Sequence, residues 1–390
     1  MHSSGAAQVV PSPGTERVAL QKLSLSTFRN YSSLRLDLDS RPVTLAGKNG
    51  AGKTNLLEAV SLFAPGRGIR NARLEDLPPH DSRANTWAIA ATVSTTGGNV
   101  DLGTGVTHGN DKRQARIDGQ QARGQSNLGD YFAAIWLTPQ MDRLFLDGAE
   151  ERRRFLDRLV AAIDPAHTGR LIAYNNGRRQ RQRILADNGD TAWLDALEKS
   201  LAQKAVAIAA ARLEVAQLLD GSAQHEGPFP VPSVQIFGDA ENWLAGQPAL
   251  SVEDRLVETW RQTRGGDAAT GRTSVGVHRT DLIVRDKSRG VAAADCSTGE
   301  QKALLIGLTL ASAKLINRHR GLRPVLLLDE VAAHLDSDRR AALFELLLTS
   351  DCQFWLTGTD AALFEPLGDH AQHFIVANGN VTHLNGSVRP

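Results

Sequence analysis

Two hydrophobic periodicities alternate along the chain, and they predict different elements. Leu34, Leu36 and Leu38 alternate with charged residues, a period of two that is typical of a half-buried strand. A second strand, at residues 43–45, leads into a glycine-rich loop. The segment KTNLLEAVSLF, residues 53–63, then carries its apolar residues at helical spacing. The pattern therefore predicts a strand, a loop and a helix in immediate succession.

Strand-like patterns continue between residues 86 and 118. The segments TWAIAATVST, NVDLGTGV and RQARIDGQ are short and are separated by polar or glycine-containing stretches. Asp118 followed by Gly119 is a signal for a tight hairpin turn. We therefore predict an antiparallel β-subdomain in this region.

Helical periodicity replaces the strands after about residue 148. It extends through AEERRRFLDRLVAAI and through the long segment 191–219, for which Asp190 is a suitable N-cap. Residues 221–233 contain too much glycine and proline to continue a helix. Strand patterns then return in SVQIF, TDLIVRD, PVLLLDE and CQFWLTGTD. The chain is thus predicted to have an α/β core that is interrupted by a mainly helical insertion.

The glycine-rich loop has the pattern G-x-x-x-x-G-K-[ST], which runs from Gly47 to Thr54. Its glycines let successive backbone N–H groups point at phosphate oxygens, and the helix that follows adds its positive end. Lys53 is predicted to reach the β- and γ-phosphates as a catalytic residue, and the Thr54 hydroxyl to complete a Mg²⁺ shell. The predicted ATP-binding residues of the loop are Gly47, Lys48, Asn49, Gly50, Ala51, Gly52, Lys53, Thr54 and Asn55.

A pair of acidic residues ends the apolar strand PVLLLDE, residues 324–330. A carboxylate at the tip of a buried strand beside a phosphate loop can hold a Mg²⁺-bound water, and this role is predicted for Asp329. Glu330 is then placed to polarise the attacking water as the general base. The sequence therefore predicts an ATPase with ATP and Mg²⁺ as its nucleotide and metal.

A third segment, CSTGEQKALLIGLTLA, places Ser297 and Gly299 at the start of a helix shortly before the acid pair. A small hydroxyl at a helix N-terminus can bind phosphate, and it can equally serve as a plain helix cap. The residues alone leave both interpretations open.

The ordered series of segments resembles the ABC-type ATPase heads of SMC-like DNA-repair proteins, and in particular the RecF family. The segments that carry the resemblance are FRNY (28–31), GKNGAGKTNLLEAV (47–60), GRGIR (66–70), RRRFLD (152–157), VHRTDL (277–282), STGEQK (297–302), LLLDEVAAHLD (326–336) and TGTD (357–360). Val277 and Thr280 stand where the family more often has proline and aspartate.

The resemblance implies a discontinuous ABC-type ATPase head and an inserted lobe. The head, a P-loop α/β core with the antiparallel β-subdomain, would comprise residues 17–147 and 270–390. The mainly helical lobe would comprise residues 148–269. Residues 1–16 are small, polar and rich in proline and glycine, and we expect them to form a flexible leader without the apolar core of a secretory signal.

The resemblance also implies residues that complete the ATP site when two heads close face to face. Ser297 and Gly299 would contact the γ-phosphate bound to the other subunit, and Asp336 would join Ser297 at the dimer seam. Arg70 would lie near the phosphates. Gln140 would stand where related heads use a glutamine to sense Mg²⁺ and the γ-phosphate.

The function implied by the resemblance is an ATP-dependent clamp for double-stranded and gapped DNA. The homodimer would hydrolyse ATP slowly, with stimulation by DNA, and would work with RecO and RecR to load RecA. Two alternatives are the motor subunit of a membrane transporter and an ATP-gated scaffold. The first usually carries a histidine where this chain has Thr357-Gly358-Thr359, and no Asn-Lys-x-Asp motif supports a GTPase.

The charge balance restricts where DNA would bind. The net charge is +1, so a DNA surface has to be a local patch. The segment NNGRRQRQR offers Arg178, Arg179 and Arg181, either as DNA contacts or as a solvated helix face. A second cluster, ERRRFLDR (151–158), is interrupted by apolar residues and has acidic neighbours, which favours a structural role.

The remaining composition fits a reduced, cytoplasmic protein. Hydrophobic residues make up 41% of the chain, and no apolar run has the length of a membrane span. Cys296 and Cys352 are the only cysteines and lack metal-ligand spacing, so they are predicted to be core residues.

Overall fold

The computed structural model describes residues 18–79, 86–109, 112–187, 189–222 and 229–384. The predicted leader, residues 1–16, lies outside the described residues. In the described part of the chain, no helix combines the length and the apolar character needed to cross a membrane.

The described residues contain fourteen strands and eight α-helices. The strands are β1 (Ala19–Phe28), β2 (Tyr31–Asp37), β3 (Val43–Ala46), β4 (Trp87–Thr95), β5 (Gly98–Val106), β6 (Gln114–Ile117), β7 (Gln120–Gln121), β8 (Ala134–Leu137), β9 (Pro232–Phe237), β10 (Asp281–Asp286), β11 (Val325–Leu328), β12 (Phe354–Gly358), β13 (Gln372–Ala377) and β14 (Asn380–His383). The helices are α1 (Lys53–Ser61), α2 (Ala149–Ile163), α3 (Ala166–Ala186), α4 (Thr191–Ser222), α5 (Asp239–Leu244), α6 (Ala249–Thr270), α7 (Thr298–Arg320) and α8 (Ser337–Thr349).

The antiparallel subdomain is a sheet with the strand order β2-β1-β4-β5-β6-β7. Its strands alternate between buried and exposed positions, because one face packs on the core while the other faces solvent. The predicted turn at Asp118 and Gly119 is present, and both residues have positive φ angles, 49° and 77°. This backbone is the one that a two-residue hairpin with right-handed twist requires.

The second large sheet has the order β14-β13-β3-β12-β11-β8 and positions the candidate site. Five of these strands are parallel to one another: β13, β3, β12, β11 and β8. The edge strand β14 is antiparallel to β13. Every residue of β3, β8, β11 and β12 is buried, as expected for parallel strands covered on both faces. Because parallel strands end at one edge, the segments that follow β3, β8, β11 and β12 meet there.

The helical insertion does not pack as one unit. The apolar face of α2, including Phe155, Leu156 and Leu159, belongs to the core of the head, as does Leu219 near the end of α4. A separate core is formed by α3, α4 and α6, with Tyr174, Leu201, Ala205, Leu256 and Trp260 among its members. The predicted start of the insertion at residue 148 thus marks the change from strands to helices. In packing, however, α2 belongs with the head, because its apolar stripe faces the sheet.

Two smaller expectations are confirmed. Cys296 and Cys352 are both buried in the core. Asp190 accepts a hydrogen bond from the Ala192 N–H at 2.8 Å and thereby caps α4.

Candidate nucleotide-binding site

The glycine loop connects β3 to α1, and its backbone excludes larger side chains at two positions. Gly47 has φ of 159°, and a Cβ there would lie 2.2 Å from the carbonyl oxygen of Val376 on β13. Gly52 has φ of 113°, and a Cβ there would lie 2.5 Å from the Asn30 amide nitrogen. The loop is therefore wedged between its neighbours in a conformation that glycine adopts without strain.

The segment FRNY supports this loop from the side. The Asn30 amide donates to the Ala51 carbonyl at 3.2 Å, and the Tyr31 hydroxyl donates to the Gly52 carbonyl at 3.1 Å. Asn55, in the first turn of α1, donates to the Asn30 side chain at 2.6 Å. Tyr31 is buried, and burial raises the pKa of its hydroxyl. The segment was part of the family resemblance, but the sequence did not predict this supporting role.

Lys53 lies beneath the loop rather than in solvent. Its side chain is 3% exposed, and Nζ donates to the carbonyl oxygens of Gly47, at 2.5 Å, and of Lys48, at 3.1 Å. Burial lowers the pKa of Lys53, and the charges of Glu330 and Asp329 act in the opposite direction. The ammonium group is thus held within the curl of the loop, beside both predicted acids.

Thr54 and Asp329 meet at the edge of the sheet. The Thr54 hydroxyl lies 3.1 Å and 3.0 Å from the two carboxylate oxygens of Asp329. Asp329 is only 5% exposed. One carboxylate and one hydroxyl match the protein share of a typical Mg²⁺ site, in which substrate phosphates and water supply the other ligands. These two residues therefore fit the metal that the sequence predicts.

Glu330 follows directly and has an unusual backbone. Its φ of 54° lies in the left-handed region, which costs a glutamate on the order of 1–3 kcal/mol. Its N–H donates to the hydroxyl of Thr357 at 2.9 Å, and that hydroxyl donates to Asp329 at 2.7 Å. Thr357 thus fixes both acids. No role was predicted for Thr357, although β12 was a predicted strand and its pairing with β11 brings Thr357 to this place.

Gln140 lies in the 3₁₀ turn Pro139–Arg143 and is exposed. The strand before it, β8, pairs with β11, and the Asp329 N–H donates to the Leu137 carbonyl at 2.9 Å. The turn is fixed to α7 by an ion pair of 3.2 Å between Asp142 and Lys302. Gln140 therefore belongs to the same sheet edge as the acids.

Arg70 is bound to the helix that follows the loop. It donates to Asn55 and to Glu58, each at 2.6 Å. Glu58 is fully buried and also receives two hydrogen bonds from Arg29, at 2.9 Å and 2.7 Å. The guanidinium of Arg70 is thereby held beside the first turn of α1, close to the loop.

Ser297 forms the plain cap that the sequence left as one of two interpretations. It accepts from the Glu300 N–H at 3.4 Å, and its own N–H donates to the Glu300 carboxylate at 2.8 Å, which completes a capping box. Ser297 and Gly299 are nevertheless exposed at the start of α7. A contact with phosphate remains a prediction.

Asp336 caps the neighbouring helix α8, where it accepts from the Arg339 N–H at 2.8 Å. Asp336 is exposed. A Cβ on Gly299 would lie 3.2 Å from the Arg339 guanidinium. The starts of α7 and α8, which carry the predicted seam residues, are therefore adjacent through Arg339.

The first basic cluster divides into exposed and buried members. Arg179 is exposed and Arg178 is half-buried. Arg181 is fully buried, where it pairs with Glu198 at 2.8 Å and Asp267 at 2.7 Å. The prediction that Arg181 contacts DNA is therefore wrong. Helical spacing from Tyr174 places positions 178 and 181 on the inward face of α3.

Three arginines of the second cluster make structural contacts, in line with the expected structural role. Arg152 pairs with Asp281 at 2.8 Å, and Arg154 pairs with Glu150 and Glu151, each at 2.5 Å. Arg158 lies over the Trp136 ring at 4.5 Å, and burial lowers the pKa of Arg158 to about 9.

Residues 19–382 match the family described as the RecF/RecN/SMC N terminal domain. The chain is 45% identical to the DNA replication and repair protein RecF of Mesorhizobium japonicum, over 93% of this chain and 97% of that protein. It is also 45% identical to the protein of the same name from Rhizobium meliloti, over 94% and 99%.

Solved structures give the same fold. The recombination mediator protein RecF with ATP matches with a TM-score of 0.81 at 21% identity, over 96% of this chain and 100% of that chain. The Smc head domain of Pyrococcus furiosus bound to the C-terminal domain of ScpA matches with a TM-score of 0.52 at 14% identity, over 94% and 96%. The predicted ABC-type ATPase head is therefore confirmed as the fold.

Proposed function

Because the chain belongs to the RecF family of SMC-like ATPases, we propose that it is an ATP-dependent DNA-binding clamp of replication and repair. The observation that carries this proposal is the meeting of Lys53, Thr54, Asp329 and Glu330 at one edge of the parallel sheet. Such an arrangement supports binding and hydrolysis of a nucleoside triphosphate. The RecF structures of similar fold are described as bound to ATP or to ATPrS, which supports ATP as the nucleotide.

Each side chain has a defined part in the reaction. The loop N–H groups and Lys53 bind the phosphates, and Thr54 and Asp329 hold the metal. Mg²⁺, when bound, supplies positive charge that offsets the charge developing on the phosphates. Glu330 orients and polarises water, and Thr357 keeps the Glu330 backbone in place. Gln140 and Arg70 are proposed to approach the metal and the phosphates from the neighbouring segments.

A second copy of the chain is the proposed partner that completes the site. Ser297, Gly299 and Asp336 are exposed at adjacent helix starts, and these are the places where a helix terminus can receive a phosphate. The ATP-dependent homodimer would bring Ser297 to the γ-phosphate bound by the other copy. Slow hydrolysis would then act as the switch that releases the closed state.

The proposed DNA is double-stranded or gapped, and its contacts are with the backbone. Arg179 is exposed on α3, as is Arg183 one turn later. Exposed arginines can pair with phosphate and release counterions. Two structural relatives are described as belonging to the RecFOR pathway, which supports RecO and RecR as partners and loading of RecA as the outcome. Hydrolysis is proposed to be stimulated by DNA.

Two other functions are less well supported. A transporter motor is disfavoured by the family, and such motors usually carry a histidine after the last core strand, where this chain has Thr357-Gly358-Thr359. A scaffold that only binds ATP would not need the ordered acid pair. Localisation in the cytoplasm follows from the proposed work on DNA.

The test is the ATPase rate per molecule as a function of protein concentration, with and without gapped duplex DNA. We expect the specific rate to rise with concentration and to rise further with DNA, because two copies complete each site. A rate that is flat in both would mean self-contained sites and would remove both the clamp and the role of Ser297 in the partner's site. Absence of hydrolysis with intact ATP-dependent dimerisation would favour the scaffold.

A further inference from the structure

A cavity of about 370 Å³ lies outside the nucleotide site, between α2, α3, α4 and the 3₁₀ turn Val277–Arg279. Four arginine side chains line it: Arg153 and Arg154 from α2, Arg178 from α3 and Arg212 from α4. Two carboxylates, Glu150 and Asp157, also reach it. The cavity therefore joins a helix of the head core to two helices of the separate insertion core.

Two of these arginines, Arg212 and Arg154, form ion pairs with carboxylates. Arg212 makes a bidentate pair with Asp157, at 2.8 Å and 2.9 Å. Burial acts to raise the pKa of Asp157, but Arg212 and His167 outweigh it and lower this pKa to about 2. Arg154 forms ion pairs with Glu150 and Glu151, both on α2. Both lining carboxylates are thus already neutralised.

The other two arginines, Arg153 and Arg178, make no ion pair with a carboxylate among the described residues. Arg153 donates to the Thr280 carbonyl at 2.7 Å and makes no ion pair there with a carboxylate. Burial lowers the pKa of Arg153 and the nearby charge of Arg212 lowers it further, whereas the charges of Glu150, Asp281 and Asp157 act in the opposite direction. Arg178 makes no hydrogen bond or ion pair in the described part of the chain, and its Nε is buried without a partner. Two guanidinium groups that are not ion-paired within the described residues therefore line one cavity.

His278, which also lines the cavity, is neutral and has both ring nitrogens hydrogen-bonded. Its Nε2 lies 2.9 Å from the Thr273 carbonyl and must donate to it, so Nδ1 accepts from the Tyr174 hydroxyl at 3.0 Å. Both ring nitrogens are thus satisfied in the neutral form. Burial, together with the charges of Arg178, Arg279 and Arg153, lowers the pKa of His278 to about 4. The wall contributed by His278 is therefore polar and uncharged at neutral pH.

We propose that this cavity is an oxyanion site that binds a phosphate group carrying two negative charges, with Arg153 and Arg178 as its principal ligands. Guanidinium groups pair with phosphate through charge-assisted, often bidentate hydrogen bonds. The cavity is lined by four arginines and two carboxylates, and this excess of two positive charges matches a dianion, such as inorganic phosphate or the terminal phosphate of a monoester. A backbone diester carries one charge and two substituents, and matches less well. The volume leaves room for the group and several waters, each of which occupies about 30 Å³ in the liquid.

Occupancy would link the head to the insertion. Arg153 extends from α2, which packs in the head core, and Arg178 extends from α3, which packs in the separate core. An anion held by both would neutralise their repulsion and connect the two helices. This site is independent of the nucleotide loop, since none of its residues belongs to that loop.

The experiment is isothermal titration of inorganic phosphate into the full chain in a phosphate-free buffer. The protein is first saturated with Mg²⁺ and a non-hydrolysable ATP analogue, so that the nucleotide loop is filled. We expect one phosphate per chain and an affinity reduced roughly tenfold or more in Arg178→Gln and in Arg153→Gln, because each loses a charge-assisted pair. Arg179→Gln, an exposed neighbour on the same helix, should bind phosphate like the unmodified chain.

Thermal unfolding provides the control for folding. Without phosphate, Arg178→Gln should be at least as stable as the unmodified chain, since it removes an unpaired charge. When phosphate is added, the Tm of the unmodified chain should rise and that of Arg178→Gln should not. Lys53→Ala should retain the phosphate binding, which separates failure at this site from failure of the proposed ATPase. No binding by the unmodified chain, equal binding by Arg178→Gln, or loss in Lys53→Ala would each overturn the proposal.

The source of the phosphate group is distinguished by competition. A tetranucleotide with a 5′-phosphate and the same tetranucleotide with a 5′-hydroxyl are added against bound inorganic phosphate. Displacement by the phosphorylated form alone assigns the site to a nucleic-acid end, and displacement by neither assigns it to the free ion. Equal displacement by both would mean that diesters suffice, which contradicts the dianion.

Discussion

The Thr357 hydroxyl donates to the Asp329 carboxylate at 2.7 Å across two neighbouring parallel strands. The same oxygen accepts the N–H of Glu330 at 2.9 Å. One fully buried hydroxyl therefore holds the proposed metal ligand and the backbone of the proposed general base at once.

Replacement of Thr357 by valine should impair hydrolysis more than it impairs folding. Valine keeps the shape of the side chain but leaves Asp329 and the Glu330 N–H each without one partner, at a cost of about 1–3 kcal/mol for a buried group. We expect kcat to fall roughly 10- to 100-fold while ATP affinity stays within a few-fold. Steady-state hydrolysis and titration with an ATP analogue measure the two quantities.

Thr359→Val is the matched control, because Thr359 is exposed just beyond the same strand. It should hydrolyse ATP at the unmodified rate. If Thr357→Val were fully active, the threonine would be a packing residue without influence on the acids.

Replacement of Glu330 by glutamine should separate binding from hydrolysis. Glutamine has the same size but cannot accept a proton, and the Glu330 backbone, with its φ of 54°, stays held by Thr357. We expect ATP affinity to persist and turnover to fall roughly 100-fold or more. Single-turnover hydrolysis measures this, and survival of turnover would show that another group activates the water.

Much of the site was predictable because it depends on short segments with fixed local geometry. The loop from Gly47 to Thr54 and the pair Asp329 and Glu330 each follow a buried strand, and parallel pairing brings them to one edge. Thr357 was not predicted, because its role arises from strand order, which no local pattern shows.

The first basic cluster, NNGRRQRQR, was predicted less well than the nucleotide site. Counting arginines within NNGRRQRQR treats them as equivalent, but a helix turns about 100° per residue. Arg179 consequently faces solvent, whereas Arg181 enters a core whose acids come from α4 and α6. The sequence spacing indicates the face of α3, and only the fold shows which face is buried.

Arg181→Ala should destabilise the insertion core. Asp267, which is only 1% exposed, would lose the cation that pairs with it. Breaking such a buried ion pair lowers the free energy of unfolding by about 3–5 kcal/mol. Arg179→Ala, on the exposed side of the same helix, should change stability little. Chemical denaturation followed by circular dichroism compares the two, and equal stability would mean that Arg181 is not needed in the core.

His278 should make stability depend on pH between about 4 and 6.5. Burial is the main reason that its folded pKa lies near 4, below the unfolded value of about 6.5. The unfolded chain therefore binds a proton in this window that the folded chain does not bind, and stability rises with pH. Across this pH range, the titration of His278 changes the free energy of unfolding by roughly 3 kcal/mol.

His278→Gln should flatten this part of the profile, because glutamine does not titrate. Urea unfolding at several pH values measures the slope. An unchanged slope would assign the dependence to other groups, such as the carboxylates that titrate at lower pH.

Arg179 and Arg183 should contribute to DNA affinity through counterion release. They are exposed one turn apart on α3, and within the described part of the chain Arg179 makes only a long contact of 3.5 Å to Asn176. Each lost phosphate contact lowers the slope of log affinity against log salt by about 0.9, so the double alanine variant should lower it by up to about 1.8. Fluorescence anisotropy with a duplex at several salt concentrations, in the presence of the ATP analogue, measures this slope. Arg35→Ala with Arg143→Ala removes the same charge from exposed positions elsewhere and should leave the slope unchanged. Equal slopes for both double variants would place the DNA on another surface, because α3 would then contribute only to the general field of the protein.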